Sequence, residues 1–422
     1  MSIDTAQIER HASANAARRT LIALVIFLFF ARGFSTSLLY LLLPQVKNLF
    51  GLSYAGAMLT QMSFYLGFFF FSLPSAYLLA RLGYIRAILL GITVMIVGCL
   101  TFCLAATTDI YPGFLAALFI IAIGIILQQV TTNPLIAILG PSHGAHSRLT
   151  LAQAFNSLGT TLAPLVGAWL ILGPENISRA NAIAVIQATN IARLQLPFLM
   201  VAAALLLAAI LFWTYRSDRI AGTQARDLLA GFSLLKDTRF LLTTLSIFAY
   251  CGAEVSEGSI LASYLMQPSI LGVSIARASE LLSLYWCGAM FGRFLGAAML
   301  RTVSSHVALS VCAIAAMLLA LTSAFSTGML AAVAVIAIGL FNSIMFPAIF
   351  ASGIACLHER TAEGSGILCM AIAGGATIPM LTAAIADGHG LAAALLVPAA
   401  CYAWITFYGA FFMQPARHVA QA

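Results

Sequence analysis

Apolar runs of about 20 residues, separated by short polar stretches, repeat along the whole chain. As a helix, such a run crosses a bilayer core of about 30 Å. The pattern predicts spans at 21–44, 57–80, 87–106, 113–139, 151–172, 196–215, 241–266, 280–300, 307–325, 329–356, 365–386 and 391–413. The first run is too long for a signal peptide and has no small-residue cleavage pattern, so it stays as a helix. The expected fold is an all-α membrane protein with twelve transmembrane helices in two pseudo-symmetric six-helix bundles.

The most informative departures from apolarity lie between residues 113 and 172. One span carries LQQVTTNP, with Gln128, Gln129, Thr131, Thr132, Asn133 and Pro134. The next carries LAQAFNSLGTT, with Gln153, Asn156, Ser157, Thr160 and Thr161. A polar group at hydrocarbon depth is costly unless it faces protein or a water-filled cavity. These two helices are therefore expected to line a cavity.

Composition supports the membrane reading: 62% of residues are hydrophobic and only 8% charged. The net charge of +7 needs no nucleic acid, because the cations sit at the ends of the apolar runs. Of the 20 Lys and Arg, only Lys47, Arg179, Arg193 and Arg277 fall in the loops of one face, and Arg32 and Arg293 fall inside helices. The other fourteen share a face with both termini, which puts that face in the cytoplasm. The stretch 216–240 holds five of these cations and three acids. It is expected to link bundles 21–215 and 241–413, with tails at 1–20 and 414–422. The loop 173–195 is expected to form a short surface helix. Glycines 374 and 375, ahead of Pro379, would allow close approach or bending in the eleventh span.

The halves echo each other. Aligned on Pro134 and Pro347, Gln129 matches Asn342, each five residues before the proline. Such internal symmetry marks transporters with a midplane site. The eight cysteines form no CxxC pair and the seven histidines fall in loops or tails, so no metal or cofactor is expected. GxSxG, HExxH and paired intramembrane Asp are absent, which argues against an enzyme.

The strings LQQVTTNPLIAILGP, SRLTLAQAFNSLG, FAYCGAEVSEGS, YWCGAMFGRFLGA, FNSIMFPAIF and AGGATIPMLTAAIAD, in that order, resemble the major facilitator superfamily. Within it they are most similar to the fucose/glucose/galactose:proton symporters of bacteria. The resemblance covers nearly all of 25–413 and implies alternating access around a centrally bound sugar. By position it implies substrate contacts from Gln129, Asn133, Gln153, Asn156 and Asn342. Amides suit sugar hydroxyls, which both donate and accept. Gln129 and Asn133 are i, i+4, and Gln153 and Asn156 are i, i+3, so each pair shares a helix face. The other reading of these amides is hydrogen bonding between helices with no ligand.

The first helix departs from the family pattern. Arg32 takes the usual Trp position, Leu39 the Asn and Tyr40 the Asp. Gln129 stands where the fucose transporter has Glu. Both carboxylates associated with proton coupling are thus replaced, which argues against fucose and leaves the coupling ion, H+ or Na+, open. Tyr40 remains a candidate sugar contact. Arg32 and Glu254 lie about 16 and about 20 Å along their helices. Arg32 either binds an anionic group on an acidic sugar or organic anion, or pairs with Glu254. Glu254 is the candidate coupling residue, while Glu257, one turn outward, is expected to stay wet. Arg293, in GRFLG, and Arg81 and Arg86, in RLGYIR, resemble gating elements. The expected partners are a small solute, lipid and the coupling ion, with the protein a monomer.

Overall fold

The computed structural model describes residues 18–37, 54–108, 111–141, 144–172, 195–215, 229–355 and 357–413. Among these, the regular secondary structure is entirely helical. We label the long helices α1 (Arg18–Ser37), α2 (Tyr54–Leu82), α3 (Tyr84–Thr108), α4 (Tyr111–Ile138), α5 (Ala145–Leu172), α6 (Gln195–Trp213) and α7 (Thr238–Leu265). They continue as α8 (Ile275–Met299), α9 (Ser305–Phe325), α10 (Gly328–Ile354), α11 (His358–His389) and α12 (Leu391–Phe411). Each lies on one expected apolar run, and of the first run, 21–44, residues 38–44 lie outside the described residues. Tyr40, the expected surface helix and residues 216–228 of the expected linker lie outside the described residues; 230–236 form a 3-10 turn, Ala230–Lys236.

Ten of these helices are long and apolar enough to cross a membrane. The other two, α5 and α7, have 28 residues each. They carry the Gln153, Asn156, Ser157 cluster and both Glu254 and Glu257.

Helix α3 packs on α2, α4 and α6; α7 packs on α11 and α12; α10 packs on α8 and α9. Between these groups, α2 lies along α11 and α5 along α8. Small residues permit the closest approaches. A Cβ on Gly33 of α1 would sit 2.0 Å from the Asn156 carbonyl oxygen of α5, and one on Gly374 of α11 would sit 2.0 Å from that of Phe248 on α7. The paired glycines of α11 thus do serve close approach, and a 3-10 turn at Ala371–Ala373 interrupts the α-helical pattern just before them.

Two prolines shape the interior in parallel ways. A proline has no N–H, so the carbonyl four residues earlier loses its helical donor. In α4, Pro134 frees the Val130 carbonyl, which accepts from Ser365 Oγ of α11 at 2.6 Å. In α10, Pro347 frees the Ser343 carbonyl, which accepts from Arg293 Nε of α8 at 3.3 Å. There the helix is interrupted at Ser343 and Ile344, directly after Asn342. The symmetry read from the sequence is thus matched by two carbonyls that each need a partner from another helix.

Candidate functional site

Hydroxyls inside membrane helices satisfy themselves on the carbonyl one turn back, and most do so here. Thr131 donates to Leu127 at 2.7 Å and Thr132 to Gln128 at 2.7 Å. Amides are too rigid for that, so they reveal where partners are lacking. Gln128 turns towards α3, donating to Met95 Sδ at 3.1 Å. Its neighbour Gln129 faces elsewhere and is half-buried. Asn133, one turn on, is 0% exposed, and neither Nδ2 nor Oδ1 has a hydrogen-bond partner. Buried amides are rarely left so. A donor and an acceptor held ready on the Gln129 face of α4 suit a ligand with hydroxyls.

On α5, Gln153 is buried, while Asn156 is partly committed to structure. Its Nδ2 donates to the Phe29 carbonyl of α1 at 3.0 Å, and Thr160 Oγ1 donates to the Gly33 carbonyl at 3.3 Å. Asn156 therefore holds α1 against α5, which is the interhelical reading of this amide, while its Oδ1 is left for other contacts.

Arg32 is buried at 3% exposure, with its guanidinium 4.4 Å from the Phe29 ring centroid and Cys369 of α11 beside it. Its Nη1 has no partner. The expected pair with Glu254 is not formed. Glu254 Oε1 instead accepts from Arg293 Nη2 at 3.1 Å and Tyr250 Oη at 2.8 Å. Helix α8, which carries Arg293, packs directly on α7. Arg293 does more than the gating motif suggested. It also bonds Ser157 Oγ of α5 through Nη1, so one side chain joins α5, α7, α8 and α10.

The second correction concerns Glu257. It is 0% exposed rather than wet. Its Oε2 accepts from Tyr285 Oη of α8 at 3.1 Å and Tyr402 Oη of α12 at 2.9 Å. Asn342, expected to contact substrate, is 0% exposed and donates from Nδ2 to Tyr285 Oη at 2.7 Å, leaving Oδ1 without a partner. Sequence spacing alone could not reveal that α12 supplies a tyrosine to cover Glu257. Arg81 and Arg86 are exposed, with Arg81 4.9 Å from the Tyr77 ring centroid, and neither forms an ion pair among the described residues.

Where α4 ends and α5 begins, polar contacts tie α5 to α8 and α9. Ser147 Oγ donates to the Ala297 carbonyl of α8 at 2.6 Å, and His146 Nε2 lies 3.3 Å from Ser305 Oγ of α9. Arg148 donates to the carbonyls of Ile136 and Pro141 at 3.1 and 2.9 Å, and also to that of Ala137, and so caps α4. The Ser365–Val130 contact lies about two turns deeper. None of these four residues was singled out in the sequence.

The family model of the Major Facilitator Superfamily matches residues 25–380. The chain belongs to this superfamily. Within it, the chain is 42% identical over 384 residues to a glucose/galactose transporter of Brucella abortus, covering 90% of this chain and 91% of that protein. It is 32% identical over 417 residues to the L-fucose-proton symporter of Escherichia coli, covering 94% of each. The crystal structure of a major facilitator transporter, FucP, in the outward conformation aligns with a TM-score of 0.82 at 31% identity, covering 93% of this chain and 98% of that one. Members of this superfamily are transporters, and the chemistry found here is that of binding: amides, hydroxyls and one buried guanidinium.

Proposed function

We propose that the protein is a secondary-active transporter of a hexose, moving it across a bacterial inner membrane by alternating access. The observation that carries this reading is Asn133, a fully buried amide with two unpartnered polar atoms on the Gln129 face of α4. The names of its relatives supply the substrate class: glucose and galactose for the Brucella protein, fucose with a proton for that of Escherichia coli. Gln129, Asn133, Gln153, Asn156 and Arg32 form the contact set, to which Tyr40 and Asn342 are also assigned.

In this reading all twelve helices cross the membrane, the ten apolar ones together with α5 and α7. They form bundles 21–215 and 241–413, joined through 216–240. The Lys and Arg distribution favours both termini in the cytoplasm. The end tied together at Ser147, His146 and Ser365 is then the cytoplasmic one, so the described conformation faces outward. Arg293, bridging to Ser157, would help hold it so.

One observation favours a second reading. Arg32 has no acidic partner among the described residues, and a buried guanidinium with a free N–H matches a carboxylate. An acidic sugar would supply one.

The test is a thermal-shift titration of purified protein with D-glucose, D-galactose, L-fucose, D-glucuronate and D-galacturonate. A ligand at one hundred times its Kd stabilises by ~2.7 kcal/mol. We expect D-glucose or D-galactose to stabilise, and Asn133→Ala to weaken that binding roughly 5- to 100-fold as one or both amide contacts are lost. Stabilisation by the uronates alone, lost in Arg32→Trp, would establish the second reading. Hexose binding unchanged in Asn133→Ala would refute the assigned site.

A further inference from the structure

Glu257 lies deep within the helices of the C-terminal part, and nothing around it balances a negative charge. From α8 it meets Tyr285, and from α12 Tyr402, with Cys401 nearby. From α10 the Asn342 amide reaches it through Tyr285. Helix α11 brings Thr382, whose hydroxyl is spent on Ser256 at 3.0 Å. Its own helix carries Tyr250, Cys251 and Glu254, and Glu254 adds a like charge. The cation of this region, Arg293, is taken by Glu254. Among the described residues, then, Glu257 has hydroxyls and an acid for neighbours and no Lys, Arg or His of its own.

The two carboxyl oxygens are unequal. Oε2 receives both tyrosine hydroxyls, while Oε1 has no partner. Two O–H dipoles aimed at Oε2 disfavour a metal cation there, because their positive ends already occupy its lone pairs. A proton on Oε1 neutralises the group without disturbing either bond. An ionised carboxylate at this depth would be a buried charge without a counter-ion, which membrane proteins avoid unless the group works.

Resting on the hexose-transport reading above, we propose that Glu257 is the proton-carrying group of this transporter, and that Asn342 and Tyr285 link its protonation to sugar occupancy. The step is one reversible protonation: Oε1 gains H+ as the carboxylate becomes the acid, and the same H+ leaves on the other side. Asn342 is the hinge of the link. Its Nδ2 holds Tyr285 while its Oδ1 is empty, and it sits at the interruption of α10. A sugar hydroxyl that recruits this amide withdraws the donor from Tyr285 Oη. That loosens the tyrosine's hold on Glu257 Oε2 and lets α7, α8 and α12 rearrange. Glu254, which the sequence favoured, serves instead as the fixed counter-ion of Arg293.

Two measurements test this. The first needs no sugar. In infrared difference spectra at neutral pH, the carboxylic-acid C=O band of a protonated Glu257 should be present in the wild type and in Glu254→Gln, and absent in Glu257→Gln. No such band in the wild type, or one that survives Glu257→Gln, overturns the proposal. The second uses proteoliposomes with D-glucose and D-galactose as probes. For one proton per sugar, an inward gradient of one pH unit sustains up to about tenfold accumulation. In Glu257→Gln, which keeps the shape and neutrality of the protonated acid, accumulation should fall to onefold while sugar exchange across the membrane continues. Tenfold accumulation by Glu257→Gln, or accumulation driven by a Na+ gradient alone, overturns the proposal. A wild type that takes up neither hexose refutes the hexose reading, and the infrared band then still decides whether Glu257 holds a proton.

Discussion

The proline-freed carbonyl of Val130 offers a sharp test of how the closed end is held. Pro134 removes the N–H that would have satisfied it, and Ser365 of α11 supplies the replacement at 2.6 Å. Ser365→Ala leaves a buried acceptor with no donor, at a cost of about 1–3 kcal/mol. The penalty applies only while α4 and α11 are closed on each other, because opening admits water to the carbonyl. The closed population should therefore fall by about 5- to 150-fold relative to the open one. Hydrogen exchange of the segment 358–370, read by mass spectrometry, should rise by the same factor. The decisive control is Pro134→Ala, which restores the helical N–H to Val130. In that background Ser365→Ala should cost little, so the two substitutions are coupled by most of the single effect. Equal effects of Ser365→Ala with and without Pro134 would refute the reasoning, because the carbonyl would then not need rescuing.

Two further outcomes follow from the same interior. Gly33→Ala puts a methyl 2.0 Å from the Asn156 carbonyl oxygen, so α1 must leave α5 and forfeit the Asn156–Phe29 and Thr160–Gly33 bonds. We expect a loss of about 1–3 kcal/mol or more, read as a lowered Tm, while Gly388→Ala, which meets nothing within 4 Å, changes little; equal Tm values would show that α1 does not pack as described. His146 lies ahead of the apolar run 151–172, and burial pushes its imidazole down to about 4. It is neutral while the seal is closed and returns to about 6.5 when water reaches it. Protons therefore bind the open state better, and closure weakens by up to about tenfold per pH unit below ~6.5, levelling off near 4. Accessibility of the 145–150 segment should rise on acidification in the wild type and stay flat in His146→Gln; the same rise in both would place the pH sensitivity elsewhere.

The helices were legible because a membrane imposes one rule, about 20 apolar residues per crossing, and every expected run coincides with a described helix, the first of them up to residue 37. The amides of α4 and α5 were legible for the same reason, since polarity at that depth demands an explanation. Pairings were not legible. Arg32 and Glu254 stand at similar depths on helices that correspond between the halves, which made them natural partners on paper. What decides a pair, however, is which helices touch and which side chain has the shorter path. Helix α8 lies on α7, and Arg293 is already aimed inward at the Ser343 carbonyl that Pro347 exposes. Glu254 is therefore claimed, Arg32 is left with an open donor, and the remaining acid falls to the tyrosines. The two features assigned to substrate and proton, an open N–H on Arg32 and a Glu257 without a cation, thus follow from one packing decision.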